Sequence, residues 1–253
     1  MPVRWRVWWV LLTAAFCLTV LARLPLSWLT PLLPAGVHCE QVTGSLWQGG
    51  CGALTLTSGT GASSPLSGAA LTWHWLPQRL LRLRLALSLQ VQVAGTTAEA
   101  IIQRGWGRWE VLELNARGPL DHRLLPLAPV GWSGQLQITA GRMRWQDGQL
   151  AALDGVVLAS DLRSGAPQSL PYGSYRLQLA PAAQGAPIVG QLVDLGGPLG
   201  VNAQWQISPA LAWQLEGTVM TRPAATETLA LQLQMLGNAD PQGRRQFSVA
   251  GQL

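Results

Sequence analysis

Apolar and polar residues alternate with a period of two along most of the chain beyond residue 36, which is the pattern of β-strands with one covered face. The clearest run is 81–93, LRLRLALSLQVQV, where seven Leu and Val residues lie on one side and Arg82 and Arg84 lie on the other. At ~3.3 Å per residue this run predicts a strand roughly 40 Å long. Its apolar face is expected to be buried around Leu85.

The same alternation recurs and predicts further strands, at 199–207, 211–215, 229–235 and 247–253. In residues 136–145 the apolar phase changes at Gly141, which predicts a bulge or tight turn. Turn residues separate the strands, at 146–148, 153–155, 196–198 and 238–243. Helical patterns after the first thirty residues are limited to 76–81 and 121–126. The whole predicts an all-β domain, a long twisted antiparallel sheet of ten to fourteen strands in meander order.

The N-terminus has the pattern of a membrane anchor. Sixteen uncharged residues lie between Arg6 and Arg23, slightly fewer than the ~20 that span a bilayer. Snorkelling of the two arginines extends the span, and the positive-inside rule then places residues 1–6 in the cytoplasm. We therefore predict one transmembrane helix over 7–23. The alternative is a signal peptide cleaved after 20–22, a Val-Leu-Ala sequence.

The rest of the chain is then exported. Residues 24–36 are a Pro-rich linker, because three prolines prevent a continuing helix. Residues 37–253 are predicted to form the periplasmic β domain. Two similar segments, GSLWQG at 44–49 and GRMRWQDG at 141–148, suggest that this domain has two related halves, 37–125 and 130–253.

Two of the three cysteines bracket a predicted hairpin. If Cys39 and Cys51 lie on the two strands of a hairpin centred on Ser45, they are directly opposite and close enough to form a disulfide. Such a bond persists in the periplasm and stabilises by roughly 3 kcal/mol in the chain-entropy model. Two alternatives remain, a pair of unpaired buried thiols and a metal site that includes His38. The metal site would have three ligands where zinc takes four.

Composition and motifs exclude several classes of function. The net charge is +5 and the chain has no lysine, but its arginines are scattered, so we do not expect nucleic-acid binding. The three histidines are isolated, and no catalytic or phosphate-binding motif is present. Acidic pairs such as Glu110 with Glu113, and Asp147 with Asp154, lie next to predicted turns. The sequence therefore predicts no enzyme, no metal and no cofactor.

An interaction surface is the remaining candidate site. The chain has 13 Trp against two Tyr and two Phe, and Trp is favoured at interfaces because it joins a large apolar area to one N–H donor. The candidate surface comprises Trp47, Trp73, Trp75, Arg82 and Arg84. The apolar sheet face itself has three open interpretations: packing within the domain, a groove for acyl chains, or a contact with a partner protein.

Several segments in a fixed order resemble one known family. They are LPLSWL (24–29), VTGSLWQGGCGAL (42–54), LTWHWLPQRLLRLRLAL (71–87), GPLDHRLLPL (118–127), GWSGQL (131–136), WQDGQLAALDG (145–155) and a GGPLG…W…L.G stretch (196–217). Together with the preceding anchor they resemble protein N of the bacterial type II secretion system. The resemblance covers essentially the whole chain, and its most specific part is the V-x-G-x-L-W-x-G element followed by W-x-W-x-P.

This resemblance implies an accessory component of the secretion machinery, anchored in the inner membrane with most of the chain in the periplasm. Its expected partners are the other inner-membrane subunits, with the outer-membrane secretin as a further candidate, and the bilayer through the anchor. The family has no catalytic residues to transfer. The alternative function is AsmA-like: a periplasmic sheet that binds or transfers lipid on its apolar face.

Overall fold

The computed structural model describes residues 37–56, 68–80, 84–105, 107–121, 130–146, 149–165, 169–180, 186–208 and 210–252, with eight residues between 8 and 20. These residues form thirteen β-strands and two short helices. They divide into two compact units, the first of Met1–Leu76 with Leu87–Ala94, the second of Pro77–Ala86 with Gly95–Leu253. The prediction of two related halves stays a prediction.

The first unit contains the first four strands. They are β1 (Val37–Gly44), β2 (Gln48–Leu56), β3 (Ala69–Trp75) and, from Leu87 onward, β4 (Leu85–Val93). Each strand pairs antiparallel with the next along the chain.

The second unit contains the remaining elements. They are α1 (Pro77–Leu80), β5 (Thr96–Gly105), β6 (Arg108–Pro119), β7 (Ser133–Gln146), β8 (Gln149–Arg163), β9 (Pro171–Ala180), β10 (Ile188–Asp194), β11 (Leu199–Ile207), β12 (Ala212–Thr221), α2 (Glu227–Gln234) and β13 (Arg245–Gln252). From β5 to β13 every strand again pairs antiparallel with its chain neighbour. This confirms the predicted antiparallel meander and its number of strands. The short helix predicted at 76–81 is α1, whereas the segment 121–126 lies mostly outside the described residues.

The run 81–93 departs from its prediction at its start. Its described strand, β4, has nine residues. Leu85 is 46% exposed while Ala86 is 1% exposed, so the predicted burial around Leu85 is wrong. Regular alternation of covered Leu and Val with exposed Gln begins only from Leu89 onward. The long strands are instead β7 and β8, with 14 and 15 residues.

The strand predicted at 229–235 is wrong, because residues 229–234 belong to α2 and Met235 is its C-cap. Leu229 and Leu233 are one helical turn apart and both are buried, so the leucines that fit a period of two also fit a helix. Thr226 is the N-cap, and its side chain accepts a hydrogen bond from the Leu229 N–H. Leu231, on the opposite face of the helix, is 60% exposed.

The irregularity predicted at Gly141 is confirmed. The register between β7 and β8 shifts between Ala140 and Arg142. A carboxylate oxygen of Asp154 accepts a hydrogen bond of 2.8 Å from the Arg142 N–H and so satisfies the backbone at this bulge. The turn predicted at 153–155 is therefore wrong, since these residues lie inside β8 and serve the bulge in β7.

Two buried clusters form the core of the second unit. One joins α2 to the sheet through Leu199, Val219, Leu229 and Leu233, with Phe247 of β13 against it. The other comprises Leu150, Ile188 and Ile207, and its partly buried neighbours include Trp145, Trp205 and Trp213. The apolar face of β10 to β12 is thus covered within its own unit at these two places.

The anchor predicted over 7–23 and the linker predicted over 24–36 lie largely outside the described residues. The eight described residues between 8 and 20 are helical. Among the described residues, no helix has both the length and the apolar character needed to cross a bilayer.

Candidate functional site

The first hairpin, β1–β2, is closed by a disulfide between Cys39 and Cys51, whose Cα atoms are 5.7 Å apart. The sequence suggested that the two cysteines are directly opposite each other, but they are not. Cys39 pairs with Leu54, and Cys51 pairs with Val42. In a regular ladder this offset would place the two side chains on opposite faces. Gln41, whose φ is +55°, interrupts the alternation between them and brings both sulfurs together.

The tip of this hairpin is the short segment that contains Trp47. Gly44 has a φ of +90°, which a residue with a side chain rarely adopts, and the Ser45 N–H donates to the Gln48 carbonyl at 2.7 Å. The tip therefore lies between Gly44 and Gly49, one to two residues beyond the predicted centre at Ser45.

Three tryptophans of the predicted interaction surface meet at this tip, and we call them the tryptophan cluster: Trp47, Trp73 and Trp75. The rings of Trp47 and Trp75 are edge to face, with centroids 6.4 Å apart. The Trp75 N–H donates to the Trp47 carbonyl at 2.8 Å, and the Trp73 indole N–H donates to the Leu46 carbonyl at 3.3 Å. All three side chains are half-buried, so the cluster is held in place and still presents apolar area to solvent.

Gly49 makes room for this cluster. A Cβ atom on Gly49 would lie 2.5 Å from the Trp73 ring and 2.7 Å from the Thr43 carbonyl oxygen, closer than real contacts allow. At the adjacent Gly50 the same atom would meet only ordinary contacts of 3.4 Å and more. Gly49, the second glycine in the V-x-G-x-L-W-x-G element, is thus required because an indole ring lies over it.

The structure describes one of the two arginines of the predicted surface. Arg84 is exposed and lies in the second unit. Arg82 lies outside the described residues.

Three of the four acidic residues that the sequence raised as catalytic candidates are described, and each has a structural role. Glu110 is 8% exposed and pairs with Arg144 at 2.8 Å. Glu113 has a φ of +54° and lies where the register between β5 and β6 shifts. Asp154 serves the β7 bulge, and Asp147 is outside the described residues. Within the described ranges no three His, Cys, Asp or Glu residues form a group that could hold a metal ion.

A charged pair that the sequence did not single out fixes the turn between β10 and β11. Asp194 and Arg222 form a salt bridge of 2.6 Å. Burial opposes ionisation of the Asp194 carboxyl, but hydrogen bonds from the Val201 N–H and from Arg222 outweigh it and hold the pKa of that carboxyl below its usual value. Burial, with the nearby Asp194 carboxylate, raises the pKa of Tyr175 to about 12.

An open groove of about 540 Å³ lies on β9 to β12, on the face opposite the core clusters. Side-chain amides of Gln178, Gln191, Asn202 and Gln204 line it, with the carboxylate of Glu216 at one side. The three glutamines are consecutive cross-strand partners, so they form one polar row. The groove combines these hydrogen-bonding groups with apolar surface from Ala180, Val189 and Ala203.

Residues 35–248 match the family model described as type II secretion system (T2SS), protein N. The match begins two residues before β1 and ends inside β13, so it spans both units and includes the tryptophan cluster. The chain belongs to the type II secretion system protein N family. Neither a curated protein nor a solved structure matches it.

Membership of the protein N family makes this chain a component of type II secretion, and so a protein that works with other components of that machinery. It confirms the resemblance drawn from the ordered segments. The family match reaches only to residue 35 on the N-terminal side, so it leaves the predicted anchor and the orientation in the membrane as predictions.

Proposed function

We propose that this protein N is a non-enzymatic component held at the inner membrane by its N-terminal anchor. In the periplasm it contacts other inner-membrane subunits of the secretion machinery, and through them the outer-membrane secretin. The contact surface is the tryptophan cluster of the first hairpin.

The geometry of the cluster supports this role. The Trp73 indole is fixed by a hydrogen bond to the Leu46 carbonyl, and the Trp47 and Trp75 rings pack edge to face beside a disulfide-closed hairpin, so little side-chain freedom is lost when a partner binds. Tryptophan is among the residues that contribute most to protein interfaces. The disulfide also favours an oxidising compartment, which agrees with a periplasmic location.

Two alternatives have less support. An enzyme would need an acid or base free to react, whereas the described acidic candidates are engaged in salt bridges or serve bulges. A lipid carrier of the AsmA-like kind would need an open apolar face. In the second unit the apolar residues Leu179, Ile188 and Ile207 are at most 9% exposed, and the groove on the other face places side-chain amides and the Glu216 carboxylate among its apolar groups.

The proposal can be tested by cross-linking the full chain in cells that secrete a folded substrate. A photo-reactive residue replaces Gln48, which is exposed beside Trp47, and a matched control replaces Gln178 in the second unit. We expect adducts with other secretion subunits from position 48 and few from position 178. Trp47→Ala should reduce those adducts by about tenfold, as expected for an anchor residue of an interface. Trp47→Phe should restore most of them.

Trp109→Ala is the second control, because Trp109 is 47% exposed on a strand of the second unit. It should leave both the adducts and secretion unchanged. The Cys39–Cys51 bond must still form in each variant, which shows that the hairpin has folded. Adducts with lipid alone, or equal adducts from positions 48 and 178, would refute the proposed contact surface.

A further inference from the structure

The last strand of the second unit presents a free edge. Within the described residues β13 pairs only with β12, over eight consecutive residue pairs from Ala212–Gln252 to Val219–Arg245. Six of the eight residues of β13 are exposed. Among the described residues no other strand pairs with its outer backbone N–H and C=O groups, which can therefore accept another strand.

This edge lacks the features that usually prevent pairing with another chain. Such features are lysines, prolines, bulges and inward-pointing charges. β13 has the sequence RQFSVAGQ, with one charge at its first residue and no proline, and its pairing with β12 is regular. The first strand of the first unit is the opposite case. β1 has left-handed backbone at Gln41, charged Glu40, and a disulfide to β2.

Exposed apolar side chains accompany the free edge. Val249 of β13 is 48% exposed, and Leu231 of α2 is 60% exposed. Met235, directly after α2, is 89% exposed. α2 and β13 share one core cluster through Phe247, so these side chains belong to two elements that pack on each other. A partner strand on β13 would lie beside apolar surface as well as main-chain hydrogen-bonding groups.

We propose that β13 pairs antiparallel with β13 of a second copy of this chain, with Ser248 opposite Ser248. Residues directly opposite in an antiparallel pair share a face. This register sets Phe247 beside Val249 of the second copy, twice by symmetry, and Gln246 beside Ala250. The single charged residue, Arg245, then lies opposite Gly251 and far from its own counterpart. A second copy also supplies a strand that is already ordered, so no segment has to fold on binding.

The register can be tested with single cysteines in the full-length protein, in a Cys17→Ser background in which the other two native cysteines are paired. Ser248→Cys should form a disulfide-linked homodimer. Gln246→Cys and Ala250→Cys should form few dimers alone and a heterodimer when mixed, because each lies opposite the other. Gln191→Cys, exposed on the central strand β10, is the control and should stay monomeric.

A charge on the edge should separate the copies. Val249→Lys should weaken dimerisation at least about tenfold, because it sets like charges near each other across the symmetric pair. Leu195→Lys is matched to it, since Leu195 is 47% exposed in the turn before β11, and it should leave the dimer intact. Mass measurement of the full chain in detergent provides the readout.

The proposal is wrong if the full chain is monomeric at all accessible concentrations. It is also wrong if Ser248→Cys cross-links to a different protein, or no more than Gln191→Cys does. Trp47→Ala should remain dimeric. Failure of this interface therefore differs from failure of the tryptophan cluster, which loses other subunits and keeps the dimer.

Discussion

The first hairpin and the region around α2 are held together by different means. In the described part of the first unit the buried apolar residues are Cys51 and Ala69, both small. The two buried clusters among the described residues lie in the second unit, and one of them fixes α2 through Leu229 and Leu233. A unit with little buried area needs a covalent link to keep its shape, whereas a larger core does so by packing. We therefore expect each unit to respond to a different kind of change.

The largest effect is expected from Leu229→Ala, because Leu229 is 1% exposed and central to its cluster. Loss of a buried leucine side chain should lower the free energy of unfolding of the second unit by about 3–4 kcal/mol. Leu231→Ala on the exposed face of the same helix should have almost no effect. Hydrogen exchange during denaturant titration measures both units separately, and equal destabilisation of the first unit would contradict the comparison.

The second-largest effect on stability is expected in the first unit, from loss of its disulfide. Replacing Cys39 and Cys51 by serine should destabilise the hairpin by about 3 kcal/mol, since the closed loop is short. Amide exchange should quicken in β1 and β2 and stay unchanged around α2. Cys17→Ser is the matched control. If the double variant left exchange in β1 and β2 at its original rate, the disulfide would not be what holds this unit.

The smallest effect concerns pH and the second unit. Because the folded pKa of Asp194 lies below its unfolded value, its salt bridge stabilises the fold above pH ~4 and this contribution is lost as the pH falls further. The β10–β11 turn should therefore be less stable at pH 3 than at pH 6. Asp194→Asn should remove most of this pH dependence at that turn. A turn whose pH dependence is the same in both proteins would show that Asp194 does not contribute to it.

The sequence predicted strands correctly where the apolar residues of a segment all face one covered side of the sheet. β11, with Leu199 to Ile207 alternating, lies where the pattern predicted. The bulge at Gly141 was also visible, because a change of phase in one strand requires an extra residue. The carboxylate that completes this bulge, Asp154, was instead assigned to a turn, since the cross-strand partner of a bulge cannot be read from local sequence.

The error at α2 has a physical cause. Leucines at 229, 231 and 233 alternate as the covered residues of a strand do. Leu229 and Leu233 are also four residues apart, which places them on one face of a helix. Thr226 as an N-cap, and a segment rich in Leu, Gln and Ala, were signals for the helix. The tryptophan cluster shows the same limit. Its members were named from composition, but only pairing of β2 with β3 brings Trp47 to Trp73 and Trp75.

The meander order has a consequence for how this chain is built. Within each unit every strand after the first pairs with the strand directly before it in the chain, and the disulfide of the first hairpin spans only 12 residues. A polypeptide that emerges from a translocation channel with its N-terminus first can therefore assemble strand by strand as it appears, without waiting for distant segments.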